Sequence, residues 1–106
     1  MDSKVIFTET ARQDLNSIME YISIRLCNHF AANNLFNHIF KTIDNIVNYP
    51  SSYPLVENEY ITNKNIRKAV IDNYSLYYVV ENQIVKIVRI IYNKRDISEI
   101  INSLNF

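Results

Sequence analysis

A nine-residue run near the C-terminus, "IVKIVRIIY" at positions 84 to 92, constrains the fold more than any other stretch of this sequence. Most of its residues are β-branched, which favours a strand. Apolar side chains occupy both alternating sets of positions, so both faces of the strand are predicted to be buried. The two predicted faces carry Val88 and Ile90 on one side, and Val85, Ile87 and Ile91 on the other. A sheet built around such a strand needs two separate covers.

Two predicted helices precede this strand, and their apolar stripes can cover one face of the sheet. The first is predicted to begin at an N-cap, Thr8 or Thr10, and the second at an N-cap at Asn28. The stripes consist of Ala11, Leu15, Ile18, Ile22 and Leu26, and of Ala32, Leu35, Phe36, Ile39, Ile43 and Ile46. Because the connection between them is short, we predict an antiparallel helical hairpin.

The remaining elements complete an α+β fold. They are a strand at 3 to 8, a proline-containing loop at 49 to 65, strands at 65 to 72 and 75 to 81, and a short C-terminal helix that begins at Asp96 or Ser98. We therefore predict an N-terminal strand, the helical hairpin, a three-stranded antiparallel meander and the short helix, with the hairpin packed on a four-stranded sheet. The second cover is either a bound partner or the short helix, which would dock through Ile97, Ile100, Ile101 and Leu104.

Composition excludes several classes of function. The length of 106 residues suits a single domain spanning 1 to 106. No apolar run approaches the ~20 residues of a membrane span, and no signal sequence is apparent, so we expect a cytoplasmic protein with no membrane partner. Cys27 is the only cysteine and glycine is absent, which excludes a disulfide, a thiolate metal cluster and a Gly-rich phosphate loop. We predict neither a metal site nor another cofactor.

Positive charge is concentrated in the second half of the chain, although the formal net charge is zero. Between Thr62 and Arg95 the local balance is +5, because seven basic residues face only Asp72 and Glu81. The basic residues are Lys64, Arg67, Lys68, Lys86, Arg89, Lys94 and Arg95. The segment either faces an anionic partner or carries solvated lysines on an ordinary sheet surface.

Four segments, taken in order, resemble the RelE/ParE superfamily of bacterial type II toxins. They are "TETARQDLNSIMEYI" (8 to 22), "NYPSSYP" (48 to 54), "IRKAVIDNYSLYYVV" (66 to 80) and "VKIVRIIYNKRD" (85 to 96). No single segment is diagnostic; the resemblance lies in the ordered set, which covers nearly the whole chain. It implies a growth-inhibiting toxin that is neutralised by a cognate antitoxin.

The resemblance leaves the activity open between two classes. ParE-like members inhibit DNA gyrase, whereas RelE-like members are endoribonucleases that cut mRNA on the translating ribosome. The stretches "DLNSIMEYI" and "IIYNKRD" are most similar to ParE-like members, and the acid and base groups of a RelE-like enzyme are incomplete, so we favour the ParE-like activity. A binding domain without toxicity is a further alternative.

The resemblance also implies candidate site residues. If the chain is RelE-like, the candidate catalytic residues are Arg67, Tyr92 and Arg95. Arg67 and Arg95 match arginines that RelE-like members carry early in the second strand and after the last strand, although the second is also common in ParE-like members. Tyr92 would replace a tyrosine that is missing from its expected place, because Arg89 to Tyr92 resembles the Arg-x-His-Tyr strand end of YoeB-like members, with Ile91 in place of the histidine. Ile101 stands where RelE-like members carry that tyrosine. The structural alternatives are a surface ion pair for Arg67 and a cap on the core for Tyr92. For either activity, the candidate target-binding residues are Lys64, Arg67, Arg89, Lys94 and Arg95.

Overall fold

The structure is a computed structural model that describes residues 4 to 105, and its elements follow the predicted α+β order. In this part of the chain they are β1 (Lys4–Phe7), α1 (Glu9–Glu20), α2 (His29–Asn48), β2 (Arg67–Ile71), β3 (Tyr74–Glu81), β4 (Ile84–Tyr92) and α3 (Ile97–Leu104). A π-helical turn, Tyr21–Arg25, extends α1. No helix between residues 4 and 105 has both the length and the apolar character that crossing a membrane requires.

The four strands form one sheet in the order β1-β4-β3-β2. β2, β3 and β4 make the predicted antiparallel meander, and β1 pairs in parallel with β4. Both hairpin turns rely on left-handed backbone, at Asp72 in the first and at Asn82 and Gln83 in the second. Asp and Asn tolerate this conformation better than most residues, which lets a chain without glycine turn tightly.

The helical hairpin covers one face of the sheet, as predicted. Thr8 caps α1 by accepting a hydrogen bond from the Ala11 N–H at 3.0 Å, and Asn28 caps α2 by accepting one from the Ala31 N–H at 2.9 Å. The alternative cap at Thr10 is wrong, because Thr8 has the extended backbone of an N-cap and Thr10 already lies inside the helix. The first core joins the helices to β2, β3 and β4 through Leu35, Ile39, Ile43, Ile46, Ala69, Leu76, Tyr78 and Ile87, among others.

Two residues of the predicted apolar stripes are exposed instead of buried. Leu26 is 56% exposed because the π-helical turn changes the helical phase and ends just before it. Phe36 is 42% exposed because it lies beside the buried stripe, where its ring packs against the tilted ring of Phe40 at 4.7 Å between centroids. The other stripe residues lie in the core or pack against it.

The second face of the sheet is covered by α3 together with the loop before β2. This second core contains Ile61, Ile66, Tyr77, Val79, Val88, Ile91 and Leu104, with Val56, Ile100 and Ile101 packed against it. Helix α3 therefore docks through three of its four predicted residues. Ile97 is the exception and is 71% exposed, because the groove beside it, lined also by Tyr60 and Asn102, is open to solvent.

The predicted alternation along β4 is interrupted by a β-bulge. Tyr77 pairs with Arg89 and Tyr78 pairs with Ile87, so Val88 is an extra residue in β4. Val88 and Ile91 consequently belong to the second core, whereas Ile87 and Ile90 both belong to the first. The prediction that both faces of β4 are buried is confirmed. The assignment of Val88 and Ile90 to one face is wrong, and so is the assignment of Ile91 to the same face as Val85 and Ile87. A bulge changes which residues face each side of a sheet.

Candidate functional site

The end of β4 presents a short, well-anchored turn at one end of the sheet. Tyr92 is the last residue of the strand, and Lys94 and Arg95 follow it. The Asn93 N–H donates to the Asn73 carbonyl at 2.8 Å, and the Arg95 N–H donates to the Tyr92 carbonyl at 3.1 Å. Because its backbone is hydrogen-bonded both to the β2–β3 turn and to its own strand, the turn that carries these three side chains is held in place. We call Tyr92, Lys94 and Arg95 the open end of the sheet.

The side chains of the open end are accessible. Tyr92 is 40% exposed, and its ring lies 5.4 Å from the ring of Tyr74 between centroids. Arg95 makes only a long, exposed contact with Glu99, with Nε 3.9 Å from the carboxylate, and such pairs contribute little. Lys94 makes no ion pair within residues 4 to 105. Two cations and a phenol are therefore free to meet a partner.

A helix cap follows this turn directly. Asp96 precedes α3, and its carboxylate accepts hydrogen bonds from the hydroxyl and the backbone N–H of Ser98. These hydrogen bonds lower the pKa of Asp96 below its ordinary value. The ionised carboxylate therefore caps the N-terminus of α3, where the helix dipole also favours a negative charge.

Arg67 is the first residue of β2, at the end of that strand away from the open end, and we call its surroundings the closed end. Its Nη1 donates to the Tyr53 carbonyl at 2.7 Å and is 3.4 Å from the Ser51 carbonyl. Beside it, the hydroxyl of the fully buried Tyr78 donates to the Pro50 carbonyl at 2.7 Å. Burial raises the pKa of Tyr78 to about 12, even though the neighbouring Arg67 guanidinium acts in the opposite direction. These bonds hold the loop that follows α2 against the sheet.

The distance between the two ends decides which predicted residues can act together. Arg67 pairs with Tyr78, whereas Tyr92 pairs with Tyr74, four residues further along β3. At a strand rise of ~3.4 Å per residue, the two ends are about 14 Å apart along the sheet. Lys64, a candidate for target binding, lies in the loop before β2 and donates to the Asn58 carbonyl at 3.0 Å. The structure thus brings Tyr92, Lys94 and Arg95 together, and it does not bring Arg67 to them.

Arg89, the last of the candidate residues, is engaged inside the fold. Its Nε and Nη2 donate to the two carboxylate oxygens of Asp14 at 2.7 and 3.0 Å, and both side chains are about 15% exposed. The same carboxylate accepts the backbone N–H of Ile90 at 3.0 Å. This two-pronged ion pair fastens α1 to β4 next to the bulge. Arg89 therefore positions the strand that carries the open end.

The arrangement as a whole suits binding better than acid–base chemistry. In residues 4 to 105 no group of three His, Cys, Asp or Glu side chains is placed to hold a metal ion. Neither histidine is hydrogen-bonded to Tyr92, Lys94 or Arg95 in the described residues: His38 contacts Asp72 of the β2–β3 turn at 3.2 Å, and His29 begins α2. What the open end offers is a pair of cations and an aromatic ring on a rigid turn, which can recognise an acidic surface or a phosphate.

A family model for the ParE toxin of the parDE type II toxin-antitoxin system matches residues 5 to 97. The chain belongs to the ParE toxin family. This match includes β1 except for its first residue, the other three strands, both long helices and the whole open end, and it leaves out most of α3. The chain is therefore a type II toxin, and its partner is a cognate antitoxin. The resemblance to the RelE/ParE superfamily is confirmed.

Solved structures share the fold of this ParE-family toxin. A chain of the chromosomal ParDE system from P. aeruginosa aligns with a TM-score of 0.68 at 16% identity, covering 85% of this chain and 95% of that one. A chain of the RelBE2 toxin-antitoxin complex from Mycobacterium tuberculosis aligns with a TM-score of 0.58 at 20% identity, covering 87% and 99%. No curated protein sequence matches the chain. At these identities the likeness establishes the α+β fold.

The ParE-family toxin also contains residues of interest that the sequence did not single out. Asp14 is the ion-pair partner of Arg89, and Tyr74 and Tyr21 lie near Tyr92 in a groove between the helices and the sheet. A signal for Asp14 was present, because it lies three residues after Ala11 and four before Ile18 and so shares the buried face of α1. No such signal marked Tyr21 and Tyr74, since strands and helices from distant parts of the chain bring them together.

Proposed function

We propose that this ParE-family toxin inhibits DNA gyrase by binding it through the open end of the sheet, and that the cognate antitoxin prevents this contact. The proposal rests on a difference among the basic candidate residues in whether their side chains already have partners within the toxin. Lys94 and Arg95 are exposed on an anchored turn, whereas Arg67 and Arg89 donate to groups of the toxin itself. An exposed pair of cations beside an aromatic ring is typical of a protein-binding surface.

The same geometry argues against the RelE-like alternative. A ribonuclease site needs its cations and its acid or base within reach of one scissile phosphate. Here Arg67 is held to the Tyr53 carbonyl about 14 Å along the sheet from the strand end that bears Tyr92 and Arg95. The three candidate catalytic residues therefore do not converge, which supports binding over cleavage.

A supercoiling assay with purified DNA gyrase tests the proposal. The parent toxin should reduce supercoiling. The double variant Lys94→Ala/Arg95→Ala should need at least about tenfold more protein for the same reduction, because a few residues, often arginine or tyrosine, supply most of the binding energy of an interface. The matched control is Lys41→Ala, which removes an exposed cation from α2 and should inhibit like the parent.

Two companion measurements separate the alternatives. Induction of the toxin alone should arrest bacterial growth, and co-expression of the small protein encoded beside its gene should restore growth. Intact gyrase activity together with transcripts cut on translating ribosomes would instead establish the RelE-like activity. Normal growth with confirmed expression, and with neither effect, would identify a non-toxic binding domain.

A further inference from the structure

One edge of the sheet is formed by β1, whose outer side meets no other strand in the described part of the chain. The Thr8 N–H donates to the Ile87 carbonyl at 3.0 Å, and Phe7 is paired in register with Ile87. Because the backbone groups of successive residues in a parallel strand point to opposite sides, those of Ile6 and Thr8 face β4. The N–H and carbonyl groups of Val5 and Phe7 therefore point outward. We call this outer side of β1 the free edge.

The other edge of the sheet is partly covered, whereas the free edge is unprotected. Along β2, Leu55 bridges to Arg67, and the Lys68 N–H donates to the Pro54 carbonyl. Strand β1 contains no proline and pairs with β4 without a bulge, and its one charged residue, Lys4, stands at its start. Proline, bulges and charges are the usual devices that keep an edge strand from pairing with another chain. The free edge is thus open to a further strand.

Exposed apolar surface lies directly beside the free edge. The rings of Phe7 and Phe40 stack at 6.1 Å between centroids, and Phe36 packs against Phe40 on α2. Phe40 and Ile6 are each 37% exposed, and both line a groove of about 560 Å³ beside β1. A strand added at the free edge would cover part of this surface, which adds apolar burial to the hydrogen bonds of strand pairing.

The backbone of the free edge is complementary to itself. When two copies of β1 run antiparallel with their Ile6 residues opposite each other, Val5 of each copy stands opposite Phe7 of the other. The two outward N–H groups and two outward carbonyls of each copy then form four hydrogen bonds across a twofold axis. The two Ile6 side chains meet on that axis as a directly opposed, closely spaced pair.

The charges at the two ends of β1 favour the same arrangement. Lys4 begins β1, Glu9 begins α1 just beyond its other end, and both residues are exposed. In the antiparallel arrangement, Lys4 of each copy lies beside the strand end that leads into Glu9 of the other. A parallel arrangement would instead place the two Lys4 side chains together. Opposite charges at both ends of the pair therefore complement a second copy of the toxin in the antiparallel direction.

We infer that the free edge is an interface between two copies of this toxin, which pair β1 to β1 in antiparallel about Ile6 and join their two sheets into one. The inference does not depend on the proposed target. Strand β1 pairs only with Ile84 to Ile87 at the start of β4, whereas the open end follows the last residue of that strand. Pairing through the free edge leaves the open end of both copies accessible.

The oligomeric state of the purified toxin tests the interface. A short strand with a small apolar border forms a weak interface, so we expect a dimer with a Kd on the order of 10 μM. In sedimentation velocity, the mass should rise from that of one chain at about 1 μM to nearly that of two at about 100 μM. A toxin that remains monomeric throughout would overturn the inference. If exchange of the Phe7 amide hydrogen then slowed only in the antitoxin complex, the antitoxin would be the partner of the free edge.

Charge reversal at the twofold axis tests the register. Ile6→Glu and Ile6→Lys each place two like charges opposite each other, so each variant alone should dimerise at least about tenfold more weakly than the parent. An equimolar mixture should recover to within about threefold of the parent, because the charges that meet are then opposite. The matched control is Val70→Lys, at a 63% exposed aliphatic residue on β2, which should dimerise like the parent.

Two results of this experiment count against the inference. Single Ile6 variants that dimerise as tightly as the parent would overturn the interface, and a mixture that does not recover would overturn the antiparallel register about Ile6. Thermal midpoints of the three variants verify that each remains folded.

Discussion

The two ends of the sheet carry similar residues and use them differently. At the closed end, Arg67 and Tyr78 donate hydrogen bonds to carbonyl groups of the loop after α2. At the open end, Tyr92 and Lys94 are exposed, and Arg95 makes only a long contact with Glu99. An arginine or tyrosine beside a strand therefore stabilises the fold or contacts a partner according to which backbone groups the tertiary structure brings within its reach.

The difference follows from the loop between α2 and β2. This loop returns along the edge of the sheet, where Leu55 bridges to Arg67 and the Lys68 N–H donates to the Pro54 carbonyl at 3.0 Å. The carbonyls of Pro50 and Tyr53 in this loop accept hydrogen bonds from Tyr78 and Arg67, since partly buried carbonyls are costly to leave without donors. At the open end the turn satisfies its own backbone through Asn73 and Tyr92, so the side chains remain available.

The largest expected effect lies between the two ends, at the ion pair that fixes β4. Asp14→Ala leaves Arg89 buried without its partner and removes the acceptor of the Ile90 N–H. We expect the free energy of unfolding to fall by about 3 kcal/mol, a loss typical of breaking a buried pair. Thermal or urea denaturation of the purified protein measures it.

The matched control for this variant is Arg12→Ala. It breaks the contact of Arg12 with Glu9, whose atoms are 3.7 Å apart and whose side chains are 63% and 74% exposed, on the same helix. The loss should stay below about 0.5 kcal/mol. If Asp14→Ala lowered the free energy of unfolding no more than Arg12→Ala does, the Asp14–Arg89 ion pair would not be holding β4 and the open end in place.

A smaller effect on stability is expected when one arginine at each end is replaced. Arg67→Ala should lower the free energy of unfolding by about 1 to 2 kcal/mol, because the Tyr53 carbonyl loses its donor and the loop is released. Arg95→Ala should change it by less than about 0.5 kcal/mol, since its contact with Glu99 is long and exposed. Growth arrest should respond in the opposite order, with Arg95→Ala losing toxicity at normal stability. An Arg95→Ala protein that unfolds readily yet remains fully toxic would contradict the distinction between the ends.

The last effect is a pH dependence at the closed end, which appears only in strongly alkaline solution. The pKa of Tyr78 is raised from 10.0 to about 12 by burial, so the folded state favours the neutral phenol. Its contribution to stability is therefore fully present below pH 10 and is lost as the pH rises through about 12. In denaturation series over this range, the parent should lose stability more steeply than Tyr78→Phe, which has no proton to release. Parallel curves for the two proteins would show that Tyr78 does not titrate in this way.

Much of the fold was predictable because it depends on local pattern. The strand at 84 to 92, the caps at Asn28 and Asp96 and the helix from Ile97 to Leu104 follow from β-branched runs, capping side chains and helical spacing. Two of the misassigned positions share one cause. Leu26 follows a π-helical turn, and Val88 occupies a bulge; each irregularity changes the phase on which a periodic pattern depends.

The candidate site was predictable only in part. The exposed group of Tyr92, Lys94 and Arg95 is contiguous in sequence, so reading the chain was enough to place these residues together. The separation of Arg67 from them depends on strand register, and the pairing of Arg89 depends on an acid 75 positions earlier. Neither the register nor that partner is written in the local sequence around the arginines.

The sequence by itself determined the elements, their order, the family resemblance and the charged turn, because each arises from neighbouring residues and short-range periodicity. The tertiary structure alone decided which cations are free. It placed Asp14 against Arg89 and the carbonyl of Tyr53 against Arg67, and it left Lys94 and Arg95 exposed on the turn after β4. The physical reason is that a side chain's availability depends on which hydrogen-bond and charge partners fold next to it, and most of those partners are distant in the chain.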